Sequence, residues 1–223
     1  QVGDVMLPDM LADLQAAQHS IFVESFIIGM GEMWGQIHEI LRQKAAAGLD
    51  VRVIYDDAGC LSLLPHNYAE MMRADGIRAF SFNRCVPVLN LVLNNRDHRK
   101  ITVVAGRIGF TGGYNRAEEY FNRTHPYGRW KDSGVRLEGD AVRNLTLIFL
   151  EMWGTTQKEM PAIEPYLPAI RYTAREAATV LPYADNPLDD KRVGEDVYLN
   201  FINSAQRYVY CLLYTSPSPR TLS

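Results

Sequence analysis

Apolar positions recur with two different periods along the first 154 residues, and the two periods alternate. Residues 10–17 place Met10, Leu11, Leu14 and Ala17 on one side of a helix. Residues 33–46 carry Trp34, Ile37, Leu41 and Ala45 at helical spacing and run into Gly48, a helix stop. Between them lies SIFVESFII (residues 20–28), a short β-rich run bounded by polar and glycine residues. VRVIY (51–55) predicts a second strand, residues 68–74 a helix stopped at Gly76, and residues 77–82 a third strand. Strands separated by helices predict α/β layers with parallel neighbours.

The rhythm breaks at residues 83–99, where Pro87, several Asn and the apolar run 86–93 lie among Arg84, Arg96 and Arg99. This run reads either as a lipid-facing lip or as a covered core segment. Strands at 100–104 and 107–111 follow, joined by a tight turn at Ala105-Gly106, with a further short strand at 136–138. Residues 142–153 predict an amphipathic helix, with Val142, Leu145, Phe149 and Trp153 on one face. Residues 155–191 are rich in proline and acids and read as a connector with one strand at 179–183.

Beyond Gly194 an earlier pattern returns: LQAAQHSIFV (14–23) matches INSAQRYVYC (202–211) loosely, at an offset of 188. The expected organisation is a first unit at 1–154, a connector at 155–193, the start of a second unit at 194–210, and a non-native tail at 211–223. CLLYTSPSPR in that tail reads as a translated sequencing adapter.

Composition narrows the class. With 223 residues, 47% hydrophobic and 22% charged, the chain is neither disordered nor collagen-like and is long enough to bury a core. A net charge of −3 argues against a dedicated nucleic-acid sleeve. Cys60, Cys85 and Cys211 are too few and too scattered for a disulfide framework or zinc ribbon, and read as free thiols in a reducing compartment. No apolar run approaches the roughly 18 residues a spanning helix needs, and no signal peptide opens the sequence. Because the chain begins at Gln1, this carries no weight for an anchor in a longer parent.

The chemistry concentrates in DHRKITVVAGRIGFTGGYN (97–115). On a strand, His98 and Lys100 share a face. Downstream, Thr111, Gly112 and Gly113 offer backbone N–H groups, and Asn115 an amide. An ammonium, backbone donors and an amide suit a phosphate group, and a neutral imidazole beside them is a nucleophile for phosphorus. Elsewhere, Asp56-Asp57 at a strand end is either a magnesium or aspartyl-phosphate site or a loop start. Glu118 and Glu119 brace a phosphate loop or begin a helix. Glu24 is either a buried, paired carboxylate near the site or an outward strand position. His19, His38, His66 and His125 show no partner pattern, and Trp34, Trp130 and Trp153 read as packing.

The spacing of His98, Lys100, Gly112, Gly113 and Asn115 resembles the phospholipase D superfamily pattern, H-x-K-x4-D followed by G-G-x-N. SIFVESFII, GEMWGQIHEILRQKAAAGLDVRVIYDDAGC and WKDSGVRLEGDAVRNLTLIFLEMW make the bacterial cardiolipin synthase branch the nearest look-alike. One position departs: the family's motif aspartate falls at Ala105. The resemblance implies a layered α-β-α sandwich with a mixed, largely parallel sheet. It also implies phosphatidyl transfer between phosphatidylglycerol molecules through a phosphohistidine on His98, with no cofactor and no metal. Lys100 and Asn115, with Gly112 and Gly113, are expected to hold the phosphate. Asp132 is expected either to orient a histidine of the opposite half or to cap a turn. The implied partners are anionic phospholipids, a membrane surface of the bacterial cytoplasmic membrane, and a second half or homodimer partner completing the site, not nucleic acid. Alternatives are a nuclease-type phosphodiesterase of the same superfamily and an impaired lipid-binding scaffold. The isolated chain is expected to be inactive.

Overall fold

The computed structural model describes residues 2–85, 95–126, 128–158, 160–169, 173 and 179–210. The apolar run 86–93, Cys211 and the tail 211–223 lie outside the described residues. In chain order the elements are α1 (Gly3–Ala16), β1 (Ser20–Ser25), α2 (Glu32–Ala46), β2 (Asp50–Asp56), α3 (Asp57–Cys60), α4 (Tyr68–Ala74) and β3 (Arg78–Phe82). There follow β4 (Ile101–Val104), β5 (Ile108–Gly112), β6 (Gly134–Glu138), α5 (Ala141–Gln157) and α6 (Val193–Ser204). Short 3-10 turns occupy Glu118–Phe121 and Glu164–Tyr166.

The strands form one sheet in the order β3-β2-β1-β4-β5-β6. β1 is its centre, and all six of its residues are buried, so SIFVES needs no polar alternation. One face packs on α1, α2 and α4 through Met6, Met10, Leu14, Trp34, Ile37 and Leu41. The other packs on α5 through Phe22, Ile54, Val103, Leu145 and Phe149. Gly48 (φ 88) and Gly76 (φ 82) follow α2 and α4 in the left-handed region, which glycine enters without strain. The layered α-β-α architecture is therefore as the sequence implies.

Three expectations change. The sheet is mixed but not largely parallel: β1–β2 and β2–β3 are parallel, whereas β1–β4, β4–β5 and β5–β6 are antiparallel. The tight turn after Val104 forces β5 back along β4, and parallel pairing is confined to the half where helices supply crossovers. Residues 179–183 form no strand; they lie over α5, where no sheet edge offers backbone partners, and Pro182 has no N–H to give. Nor does a strand follow α6, although the match of residues 202–211 to residues 14–23, which run into β1, implies one. Residues 205–210 are irregular, because a strand needs a neighbour to bond with.

The ends of the sheet differ in kind. The C-terminal ends of β1, β2 and β3, the start of β4 and the end of β5 all reach one rim, and the loops there carry the chemistry-bearing residues.

Candidate active site

His98 and Lys100 lie on the segment that leads into β4, just short of the ladder. Their side chains meet: Lys100 Nζ is 3.1 Å from His98 Nδ1 and donates to the His98 carbonyl at 2.6 Å. An ammonium has only donors, so His98 Nδ1 accepts and the ring proton of the neutral tautomer sits on Nε2. Phe26, just past β1, packs against both groups. Its ring centroid is 4.5 Å from that of His98, and Lys100 Nζ lies 5.2 Å from it. Sequence reading missed Phe26; its position at the end of the SIFVESF run was the available signal.

Asn115 is fixed by a small graft between two loops. Its Oδ1 accepts from Ile27 N at 3.1 Å, Arg116 N donates to Ile27 O at 2.9 Å, and Gly29 N donates to Arg116 O at 2.9 Å. Holding the oxygen this way leaves the amide nitrogen as the donor end. Arg116 is buried and donates to the Glu24 and Ile101 carbonyls and to Thr102 Oγ1. It was also missed, since an arginine following the motif looks like a surface residue in sequence.

The two glycines differ: Gly112 lines the space beside His98 and Lys100, whereas the Gly113 donor is taken. The Gly113 N–H is committed to Ser133 O at 3.0 Å. A Cβ at Gly113 would lie 2.1 Å from Asp132 Oδ1, and one at Gly112 would lie 2.5 Å from Gly134 Cα. The backbone of residues 133 and 134 leaves no room for a side chain at Gly112, whereas one at Gly113 would displace the Asp132 carboxylate. Asp132 accepts from Ser133 N at 2.8 Å and from Trp130 Nε1 at 3.4 Å, and its charge favours the protonated form of Lys100. Among the described residues no hydrogen bond joins it to His98.

Electrostatics tune the pair. Burial, then the Arg116 charge, brings the Lys100 ammonium down to about 8, against the opposing pull of Asp97, Asp132 and Asp56. Burial, then the Lys100 charge, lowers His98 below its ordinary value, which favours neutral imidazole near pH 7.

Behind the pair, residues 97 and 99 point into a buried ionic cluster. Asp97 is fully buried, Arg99 Nε donates to Asp97 Oδ1 at 2.9 Å, and Arg99 Nη2 lies 2.7 Å from Glu24 Oε1. Glu24 is thus the buried, paired carboxylate; burial first, then Asp97, raises its pKa well above the usual carboxylate range. Asp56 accepts from Ala58 N, Gly59 N and Asp97 N, and pairs with Arg96. Its oxygens therefore pin the segment before His98 and start a helix, the loop-start reading of Asp56-Asp57. Glu118 Oε1 accepts from Met33 N at 2.7 Å and serves the start of α2 rather than a phosphate loop.

Ala105 is far from all this. It sits in the β4–β5 turn at the opposite end of the sheet, roughly 20 Å from His98 along an extended chain. Ala105 and Gly106 have φ 52 and 63, and Arg107 N donates to Val104 O at 3.0 Å, the pattern of a type I′ turn. The motif departure is a turn substitution and leaves the His98–Lys100 pair untouched.

Residues 10–153 match the model of the family described as cardiolipin synthase, PLD-like domain. The chain belongs to that family. A cardiolipin synthase of Geobacillus kaustophilus is 32% identical over 93% of this chain and 41% of its own length. An uncharacterized protein of Streptococcus mutans is 42% identical over 94% of this chain and 45% of its own length. The chain therefore spans somewhat under half the length of these curated relatives. Phosphatidylserine synthase of Haemophilus influenzae is 15% identical over 77% of this chain and 39% of that chain, with a TM-score of 0.48. In this cardiolipin synthase-type domain, no helix among the described residues is long and apolar enough to cross a membrane.

Proposed function

We propose that this chain supplies one half of a phosphatidyltransferase that condenses two phosphatidylglycerols into cardiolipin and glycerol. The observation that carries the reading is the meeting of Lys100 Nζ and His98 Nδ1 at 3.1 Å against Phe26, whose chain neighbour Ile27 fixes the Asn115 amide, in a chain of the cardiolipin synthase family. Arrival of a phosphodiester turns the Lys100 ammonium from the imidazole to a non-bridging oxygen, and the Asn115 amide donates to the same group. The freed imidazole attacks phosphorus. A P–N bond forms on His98, the P–O bond to glycerol breaks, and the leaving oxygen takes a proton from a second imidazole. That imidazole then accepts the proton of the incoming phosphatidylglycerol hydroxyl, whose oxygen displaces His98.

The second imidazole belongs to the other half of the site. Asp132 orients it through the second ring nitrogen, as carboxylates do for catalytic histidines. The start of that half at 194–210 is supported by α6. The α1 residues Met10 and Leu14 are buried, whereas Tyr198 and Ile202, which follow them by 188 residues, are exposed on a helix with no buried residue. An apolar helical face of this kind is what a unit's first helix presents before its own sheet covers it. The chain by itself is then without turnover, and a homodimer sharing two copies of the motif is the other route to a complete site. The substrate places the enzyme at the bacterial cytoplasmic membrane, against anionic lipid, with no role for nucleic acid. The turn position of Ala105 weighs against an impaired scaffold.

The test is mass spectrometry of a chain extended to the length of its relatives, after exposure to phosphatidylglycerol. A phosphatidyl adduct on His98, absent in His98→Ala, supports transfer. Lipid bound without an adduct, alongside cleavage of DNA, overturns it.

A further inference from the structure

A cavity of about 260 Å³ opens beside the His98–Lys100 pair, and one of its walls comes from the connector. Its lining brings His98, Arg99 and Lys100 together with Leu145 and Ile148 of α5 and with Leu181 and Tyr183. The cavity thus combines cationic and aliphatic groups in its wall. It is smaller than the roughly 300–1,000 Å³ of pockets that enclose drug-sized ligands, so it fits the glycerophosphoryl end of a lipid and not two acyl chains.

The connector reaches this wall by a specific tether. Asn144 Nδ2, on α5, donates to Pro182 O at 3.3 Å. Further along, Asp185 accepts from Gly194 N at 2.9 Å at the start of α6, so the segment is held at both ends. Leu181 nevertheless remains 72% exposed and Tyr183 43% exposed. Apolar side chains that line a cavity and still face water are groups that an apolar ligand, on arrival, removes from solvent.

We propose that residues 181–184 form a specificity wall of the substrate pocket, on which the glycerol backbone and first acyl methylenes of a phospholipid pack while its phosphate meets Lys100. The proposal rests on the phosphodiester reading of His98 and Lys100. It adds that the connector selects a lipid ester over a bare phosphate or a small soluble diester. Asn144 is the positioning residue, acting through Pro182.

The experiment measures binding to the extended chain by calorimetry, using inorganic phosphate and short-chain dihexanoyl phosphatidylglycerol below its micelle concentration. Wild type is expected to prefer the lipid over phosphate. Leu181→Asp is expected to weaken lipid binding at least about tenfold, the scale of one lost aliphatic contact, with phosphate binding unchanged. Leu181→Met restores the preference, and Asn144→Ala lowers it in the same direction. In turnover, Leu181→Asp raises KM for phosphatidylglycerol with kcat preserved. Equal affinity of wild type for lipid and phosphate overturns the wall, as does a Leu181→Asp variant that keeps its preference. Wild type that binds neither ligand overturns the phosphodiester reading itself, and the wall with it.

Discussion

Each end of the central sheet buries cations against carboxylates, and the two ends settle them differently. At the far end Arg52 is held by Asp50 at 2.7 Å and donates to Tyr166 Oη at 2.7 Å; Tyr166 in turn donates to Asp50 at 2.6 Å. The guanidinium also sits 5.1–5.4 Å from the ring centroids of Phe22, Trp153 and Tyr166. Every charge there has a geometric partner, and Asp50 titrates below its ordinary value despite burial. At the rim, burial dominates instead: Glu24 is raised, Lys100 and His98 are lowered, and the buried Arg116 Nε has no hydrogen-bond partner among the described residues. One end is a clasp that docks the connector. The other holds its charges in pairs whose burial outweighs their attraction, so that they titrate away from their ordinary values.

The two ends differ most at Lys100. In the extended chain, Lys100→Met is expected to lower kcat/KM by about 10²–10³, the range for losing one preorganised donor. The same change should stabilise the fold near neutral pH by up to about 3 kcal/mol. Wild type bears the cost of a buried ammonium below about pH 8, and sheds it as pH rises toward the unfolded value of 10.5. Thermal melts against pH check this; a Met variant less stable at pH 7 than at pH 10, relative to wild type, sinks it. Wild-type kcat/KM should fall on the acid side as His98 protonates, below the ordinary imidazole range, and on the alkaline side near pH 8 as Lys100 loses its charge.

Next in size is the clasp. Arg52→Met leaves Asp50 half-buried beside a more distant Arg78 and should cost about 3 kcal/mol in urea unfolding, with phosphate binding at the rim unchanged. A parallel loss of phosphate affinity would merge the two ends into one unit and end the comparison.

Glu24→Gln is smaller and has a pH signature. A carboxyl whose folded pKa is raised contributes stability that is full below its unfolded value and is lost as pH rises through the folded one. The Gln variant escapes that loss. Its melting temperature should match wild type near pH 4 and exceed it increasingly toward pH 8; a constant offset across pH rejects a protonated Glu24. The smallest effect belongs to Ala105→Asp. Asp-Gly suits two consecutive positive φ values better than Ala-Gly, so stability should rise by about 0.5 kcal/mol without a change in kcat.

Period alone marked most elements. Helices α2 and α5 and strands β2 to β5 fall within a residue or two of where apolar spacing and glycine stops put them, apart from the longer C-terminal end of α5. Misreadings came where an element depends on a neighbour: residues 179–183 look like a strand but meet a helix, and SIFVESFII continues past Ser25, where β1 leaves its partners. Glu24 was ambiguous for the same reason, since a carboxylate inside an apolar strand is explained only by Arg99 arriving from elsewhere.

The linear chain determined that His98 and Lys100 point the same way, because a two-residue spacing along extended backbone is a local property. Tertiary structure decided what surrounds them. Placing β1 between β2 and β4 brings Phe26 to the imidazole and Glu24 to Arg99, and the pairing of β5 with β6 packs Gly112 against the backbone of residues 133 and 134. It also carries Ala105 to the far end of the sheet. Such relations are set by strand order and direction, which no local period records.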